Sequence, residues 1–433
     1  MNENSNIFIH KEILIYGLGK TGISSFNFLK RDNNISLFDD NKKKKFNKII
    51  NNKIVSISKI QKSRYDVIIL SPGIDINKCK LKKFLKKNLR NIYTDLDVFN
   101  SFYKNQCITI TGTNGKSTTC QLLYEILNKQ GFDVKLAGNI GYPILSIRRI
   151  KPNSIFVIEA SSYQLEYSKL FISKFAAILN ISADHLERHK SLRNYISAKF
   201  KLIKNQKTDS IAFLNKHDVN IKKEIKRNNY KSKIVNVNTK LTNKILTLYQ
   251  NKYFLSSSNK ENLSFVLAII KKFKIRKKTL INVIKNFKGL KYRQQVIFDN
   301  RNISIINDSK STSYSSTVEM LKRSDNIYWL LGGLPKKGDK LNLSRTYYKN
   351  IKGFIFGRNN KKFSSDLKNK INFQEFPNLK IALDGALKDI KVDNSRKKTI
   401  LFSPSGASFD SFKNFEDRGF YFNKLIKKYF NDK

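Results

Sequence analysis

The sequence predicts an α/β chain in three sections, each built on an open, mainly parallel sheet. Three observations carry that prediction. Short apolar runs alternate with helical patterns from end to end. Each section opens on such a run, and many of the runs stop at glycine or a small polar cluster, where open α/β sheets bind their ligands. The length of 433 residues suits three domains, at roughly 150 residues each. The sections span residues 1–104, 105–297 and 298–433.

The first section opens with the strand Glu12-Ile13-Leu14-Ile15-Tyr16, which runs into Gly17-Leu18-Gly19-Lys20-Thr21-Gly22. A second strand, Ile35–Phe38, ends at Asp39-Asp40, and a third, Tyr65–Leu70, ends at Ser71-Pro72-Gly73. Strand, glycine turn, helix, strand and acid in that order is the dinucleotide fingerprint. The pattern fits a nicotinamide dinucleotide, another nucleotide or a bare tight turn, and it does not choose among them.

The second section opens with the richest stretch of the chain. The apolar run Ile108–Thr111 leads into Gly112-Thr113-Asn114-Gly115-Lys116-Ser117-Thr118, and an amphipathic helix follows. This order gathers backbone N–H groups and a helix N-terminus around a phosphate. Lys116 is placed to reach the β- and γ-phosphates, and the Ser117 hydroxyl to meet Mg²⁺. One spacing departs from the strict motif. Ile110 stands where its first glycine would fall, and the glycine here is Gly112. ATP is the expected ligand.

Further along, the strand Ile155–Ile158 ends in Glu159, which suits a Mg²⁺ ligand beside a phosphate loop. Glu159 would otherwise cap the next helix. The strand Phe175–Leu179 ends in Asn180, followed by Asp184, His185 and His189. A loop histidine is usually solvated, but this one follows a strand end of the nucleotide section, and His185 is given a role there. Lys199 by itself reads as one more surface lysine.

The third section carries strands Ile303–Ile306, Ile327–Leu331, Gly353–Phe356 and Thr399–Phe402. They stop at Asn307-Asp308-Ser309-Lys310, Gly332-Gly333, Gly357-Arg358 and Ser403-Pro404-Ser405-Gly406.

Composition narrows the class. Lys plus Arg number 84 against 33 Asp plus Glu, a net charge of +51. Such a balance suggests nucleic acid or an anionic surface. However, the lysines are scattered over the whole chain, as at Lys42–Lys45, Lys82–Lys87 and Arg276–Lys278. Asn, Ile, Phe and Tyr are abundant as well, and all these residues have A/T-rich codons, so base composition accounts for the charge. No nucleic-acid partner is expected. Cys79, Cys107 and Cys120 form no C-x-x-C pair, which fits a reducing compartment without a zinc site. The N-terminus lacks a signal-peptide pattern, and no apolar run approaches the ~20 residues of a membrane span. The chain is expected to be cytoplasmic, off the membrane and monomeric.

Taken together, Gly112–Thr118, Gly138-Asn139-Ile140-Gly141, Glu159–Glu166, Asn180–Arg188 and Lys199 resemble the Mur ligases, ATP-dependent amide-forming enzymes of peptidoglycan precursor synthesis. Asn307–Thr312 and the run Leu401–Gly419 look most like the branch that adds D-glutamate to UDP-N-acetylmuramoyl-L-alanine. The resemblance spans Gly17 to Gly419 in family order.

The resemblance implies a Rossmann-like UDP-binding domain, a central P-loop-type ATPase domain and a C-terminal Rossmann-like domain that takes the amino acid. Lys20, Thr21, Asp39, Asp40, Ser71 and Gly73 would lie near the uridine diphosphate, and Asn139, Ser161 and Gln164 would serve the rest of that substrate. Gly112–Thr118 would hold ATP, with Asn262, Arg293 and Asp308 helping. Lys116, Glu159, His185 and Lys199 would be catalytic, with Ser117, Glu159, His185 and a carbamylated Lys199 holding Mg²⁺. Lys310, Thr312, Ser408 and Phe415 would receive D-glutamate, together with Lys337, preferred over its neighbour Lys336.

One departure stands out. The family's His-Asn-x-x-Asn pattern near the adenine reads Glu261-Asn262-Leu263-Ser264-Phe265 here, so Asn262 remains while the histidine and the second asparagine do not. Three rivals are weaker. A ligase for another acceptor, including a folate-glutamate ligase, does not explain Leu401–Gly419. A nicotinamide oxidoreductase leaves Gly112–Thr118 without a purpose. A basic nucleic-acid ATPase needs its lysines gathered in one groove.

Overall fold

The computed structural model describes residues 6–41, 46–239, 248, 251–323, 325–336, 338–395 and 397–430. Lys42–Lys45 and Lys337, singled out above, lie outside the described residues. The chain divides into two compact units, Met1–Phe287 and Lys288–Lys433.

The first unit holds two sheets. The strands β1 (Glu12–Tyr16), β2 (Asn34–Phe38), β3 (Val67–Leu70) and β4 (Ile92–Tyr93) form a parallel sheet in the order β2-β1-β3-β4. The strands β5 (Cys107–Thr111), β6 (Val134–Gly138), β7 (Ile155–Glu159), β8 (Phe175–Ile178), β9 (Ile211–Asn215) and β10 (Lys233–Val237) form a second parallel sheet. Its order is β10-β9-β8-β5-β7-β6, so β5 lies between β8 and β7. Every residue of β3, β5, β7 and β8 is buried. Helices cover both faces of such sheets, so their strands read as unbroken apolar runs rather than alternating ones.

The two sheets share one core. Ile13, Ile15, Leu37 and Phe99 pack in the same cluster as Phe156, Ile158, Ala176 and Leu214, and the rings of Phe99 and Phe156 lie 4.7 Å apart. Asp97 fastens the seam. Its Oδ1 accepts from Ser168 Oγ and from the backbone N–H groups of Lys169, Leu170 and Phe171. A buried carboxylate met by that many donors is well compensated for its lost hydration.

The second unit holds β11 (Gln295–Asp299), β12 (Ile303–Asn307), β13 (Ile327–Gly332), β14 (Ile351–Phe356), β15 (Asn372–Phe376) and β16 (Lys398–Ser405) in the order β11-β12-β16-β13-β14-β15. All pairings are parallel except β11 with β12. The edge strand β11 straddles residues 297 and 298. The sequence shows no alternation there that would separate it from a loop. Trp329 is fully buried and its Nε1–H donates to Ser403 O at 2.8 Å. Among the described residues no helix is long and apolar enough to cross a membrane.

Candidate active site

The phosphate loop is a left-handed turn between β5 and the helix Lys116–Gln130. Gly115, the N-cap, has φ of +83°, and a Cβ there would fall 2.0 Å from Asn262 Oδ1. Only glycine satisfies both conditions. The close approach also brings Asn262 against the loop. The helix then buries Cys120, Leu123, Ile126 and Leu127, spaced three and four apart on one face. Each such side chain contributes roughly 1.5–3 kcal/mol, which holds the loop's helical end in place.

The loop is fixed from the β8 side. Thr113 N–H donates to Asn180 O at 2.9 Å, and Asn114 N–H to Asn180 Oδ1 at 2.9 Å. Thr113 Oγ1 meets the Tyr195 hydroxyl at 3.2 Å and accepts from Ser182 N–H at 3.0 Å.

Three adjacent strand ends converge beside it. Ser117 Oγ donates to Glu159 Oε2 at 2.5 Å, and Asn139 Nδ2 donates to Glu159 Oε1 at 2.8 Å. Lys116 Nζ donates to Gly112 O and Thr113 O at 2.9 and 2.8 Å. Lys199 Nζ donates to the same Gly112 O at 2.8 Å and lies 4.5 Å over the Tyr195 ring. Lys199 is not a surface lysine, being only 1% exposed. Burial holds its ammonium well below the ordinary lysine range, with Lys116 adding to the effect and Asp184 and Glu159 opposing it.

Ser117, Glu159 and Asn139 therefore form one bonded group, and Lys116 and Lys199 share the Gly112 carbonyl beside it. His185 stands at its border. It has φ of +55°, and its ring lies 5.0 Å from Tyr163 and 6.5 Å from Tyr195. Its ring nitrogens approach Asp184 at 3.5 Å and Glu187 at 3.7 Å. His189, which received no role from the sequence, is buried and bonds Ser162 Oγ at 3.0 Å. Burial first, then Arg188, His185 and Lys199, push its pKa down to about 4, so it is neutral near pH 7.

The donor set can be tested against Mg²⁺. Among the described residues no three His, Cys, Asp or Glu side chains gather into a metal-holding group. Mg²⁺ commonly takes one or two carboxylates, substrate phosphates and waters, and the paired Ser117 and Glu159 oxygens fit that demand. The Lys199 amine does not fit. A carbamate on its nitrogen would supply oxygen donors.

The second group of expected residues lies at the ends of β1, β2 and β3. The helix Lys20–Leu29 opens after Gly19 with no side-chain cap. Gly22 sits so close to the preceding turn that a Cβ would fall 1.9 Å from Gly17 O. Asp39 Oδ2 accepts from Leu18 N–H at 2.7 Å, and Ser71 Oγ donates to Gly17 O at 2.6 Å. Both brace the glycine turn. The Asp40 carboxylate accepts from the Tyr16 hydroxyl at 2.8 Å on each oxygen. Gly73 has open space where a side chain would stand. Ser161 and Gln164 bond each other in a capping box, and the Gln164 side chain pulls the pKa of the buried Asp95 downward.

In the second unit, Lys310 and Phe415 meet beyond the ends of β12 and β16. Lys310 Nζ lies 3.9 Å over the Phe415 ring. Ser309, next to Lys310, donates through Oγ to Phe415 O at 2.9 Å. The fully buried Arg418 donates to Ser309 Oγ, Ser309 O and Gly406 O. Ser408 is buried, and its carbonyl accepts from Ser411 and Phe412 N–H. Thr312 sits half-buried just beyond Ser311. Asp308 is buried, accepting from Gln294 N–H and Ser403 Oγ at 3.0 Å each. Burial pushes its pKa up to about 7, against the pull of those two bonds and of Arg293. A charged Arg418 was foreseeable from the Leu401–Gly419 run, but its burial was not.

Residues 110–278 match the Mur ligase middle domain, and residues 11–92 match the Mur ligase MurD-like N-terminal domain. The chain is 36% identical to the UDP-N-acetylmuramoylalanine–D-glutamate ligase of Rickettsia felis, covering 98% of each. It is also 36% identical to the enzyme of that name from Buchnera aphidicola subsp. Schizaphis graminum, covering 97% of this chain and 99% of the other. Among solved structures, the fold is similar to the MurF ligase of Thermotoga maritima in complex with ADP, with a TM-score of 0.55 at 13% identity over 98% of this chain and 100% of the other. It is similar also to MurF from Acinetobacter baumannii, with a TM-score of 0.57 at 16% identity over 77% and 79% of the two chains.

Proposed function

We propose, because this chain belongs to the Mur ligase family, that it is an ATP-dependent ligase joining D-glutamate to UDP-N-acetylmuramoyl-L-alanine in peptidoglycan precursor synthesis. The observation that carries the ATP half is the bonded group Ser117, Glu159 and Asn139 at three adjacent strand ends, with Lys116 held on the loop carbonyls beside it. The near full-length similarity to D-glutamate ligases supports the acceptor.

The reaction runs in two steps. The L-alanine carboxylate attacks the γ-phosphorus of ATP, giving an acyl phosphate and ADP. The D-glutamate amine then attacks the acyl carbon, loses a proton, and phosphate leaves. Carboxylate and triphosphate repel each other in the first step. The Lys116 ammonium, released from the Gly112 and Thr113 carbonyls, offsets that repulsion at the phosphoryl oxygens. The loop's N–H groups hold the phosphates in line, and positioning of this kind is worth up to ~7–11 kcal/mol.

Ser117 and Glu159 would hold one Mg²⁺, and His185 with a carbamylated Lys199 a second. Magnesium, when bound, supplies positive charge against the transferring phosphoryl group. A neutral amine is the form that adds to CO₂, and the depressed pKa of Lys199 favours it. Asn262, Arg293 and Asp308 are assigned to the nucleotide. Lys20, Thr21, Asp39, Asp40, Ser71, Gly73, Asn139, Ser161 and Gln164 are assigned to the UDP-substrate. Of these, Asp39 and Ser71 act by bracing the glycine turn. Lys310, Thr312, Ser408 and Phe415 are assigned to D-glutamate. Three domains at 1–104, 105–297 and 298–433, a monomeric state and a cytoplasmic site of action complete the reading.

The test is phosphate release from ATP with Mg²⁺ and UDP-N-acetylmuramoyl-L-alanine, comparing D-glutamate, L-glutamate, L-lysine and no amino acid. Turnover only with D-glutamate is expected. Turnover with a different acceptor would overturn the assignment of the second unit.

A further inference from the structure

Glu261 stands where the family pattern described above carries histidine, and its surroundings give it a different task. It lies on the helix Ser257–Ile270, next to Asn262. One carboxylate oxygen accepts from Asn180 Nδ2, and the other accepts from Asn215 Nδ2 at 3.1 Å. Asn180 follows β8, and Asn215 ends β9. Asn180 Oδ1 in turn accepts from Asn114 N–H at 2.9 Å, inside the phosphate loop.

The direction of this relay follows from chemistry. An ionised carboxylate only accepts hydrogen bonds, whereas an asparagine amide can be turned either way. Glu261 therefore fixes the NH₂ of Asn180 toward itself and leaves the carbonyl facing the Asn114 N–H. Asn215 is fixed likewise, since its Nδ2 also donates to Leu179 O at 2.9 Å and its Oδ1 accepts from His217 N–H at 2.9 Å.

We infer that Glu261 is a positioning residue for the phosphate loop, acting through Asn180 to hold Asn114 in its nucleotide-ready conformation. Resting on the nucleotide reading of Gly112–Thr118, this adds a loop-orienting role to a position otherwise expected only near the adenine. A loop ordered before the ligand arrives pays less ordering entropy on binding.

The experiment measures Mg-ADP binding by calorimetry for the wild type, Glu261→Gln, Asn180→Ala and the double variant, with thermal unfolding alongside. Glu261→Gln keeps the shape but lets an NH₂ face the Asn180 NH₂. It is expected to weaken Mg-ADP about tenfold, the scale of one charge-assisted hydrogen bond. Asn180→Ala is expected to weaken binding similarly, and the double variant to be no weaker than Asn180→Ala alone, since the two act as one unit. Glu261→Asp, still an acceptor only, should bind better than Asn180→Ala, and it carries the test if the Gln variant does not fold. Wild-type affinity in Glu261→Gln, losses that multiply in the double variant, or a Glu261→Asp as weak as Asn180→Ala would overturn the inference. A wild type that binds no Mg-ADP would instead remove the nucleotide reading on which it stands.

Discussion

Ser117 Oγ donates a 2.5 Å hydrogen bond to Glu159 Oε2, joining the first turn of the loop's helix to the end of the neighbouring strand β7. The Asn139 amide holds the other oxygen of the same carboxylate at 2.8 Å. A carboxylate that is 1% exposed and oriented on both oxygens is preorganised for the Mg²⁺ role proposed for it. Glu159→Gln keeps the shape and removes the charge. Turnover is expected to fall by about 10²–10³, with the thermal midpoint near that of the wild type. Near-normal steady-state turnover would remove Glu159 from the chemistry.

Lys116 donates to the loop carbonyls of Gly112 and Thr113 and lies beside the second sheet, whereas Lys20, Thr21 and Gly73 lie at the end of the first. Lys116→Ala should abolish phosphate release while UDP-substrate binding, followed by calorimetry, stays largely intact. Equal loss of both would contradict the division of labour between the two sheets.

Lys199 is buried and burial depresses its pKa, which favours the neutral amine that the proposed carbamylation needs. Turnover should drop in CO₂-depleted buffer and return with bicarbonate. Lys199→Arg, which cannot form a carbamate, should stay inactive in both. Turnover that ignores bicarbonate would argue for an unmodified lysine.

At Gly22 an added Cβ meets a backbone carbonyl at 1.9 Å, and backbone cannot step aside as a side-chain tip can. Gly22→Ala is expected to destabilise by about 1–3 kcal/mol, as other overpacking substitutions do, and to weaken UDP-substrate binding more than ADP binding. Calorimetry with each ligand separates the two. Equal weakening would mean the strain spreads through the shared core.

Asp95 is fully buried, and burial raises its pKa from 3.8 to about 6 despite the opposing pull of Gln164. A raised folded pKa means the native state holds the proton more tightly than the unfolded chain does. The contribution is fully present below about pH 4 and is lost as pH rises through about 6. Asp95→Asn should therefore gain on the wild type between pH 5 and pH 8, by about 1–3 kcal/mol. Denaturation at the two pH values checks it, and a constant difference would show that Asp95 ionises freely.

Much of the site was legible in the chain. Gly112–Thr118, Glu159 and Asn180 each stand at the end of an apolar run, and a parallel sheet delivers strand ends to one edge. Asn139 and Lys199 were legible only through resemblance. Lys199 looked like any of the lysines that dominate the composition until its burial was seen. Glu261 could be recognised as a departure, but not as the partner of Asn180 and Asn215.

The sequence by itself determined the strand–turn–helix order, the glycines of the two turns and the charged residues at the strand ends. These depend on backbone sterics and apolar patterning within a few neighbouring residues. The tertiary structure alone decided that Tyr16 holds Asp40 from 24 positions away, that Asn180 meets Glu261 across 81, and that Arg418 is buried against Ser309 across 109. Those pairings depend on the order of strands within each sheet and on which helix covers which face. No local pattern records either, because the packing free energy that selects them is summed over residues distant in the chain.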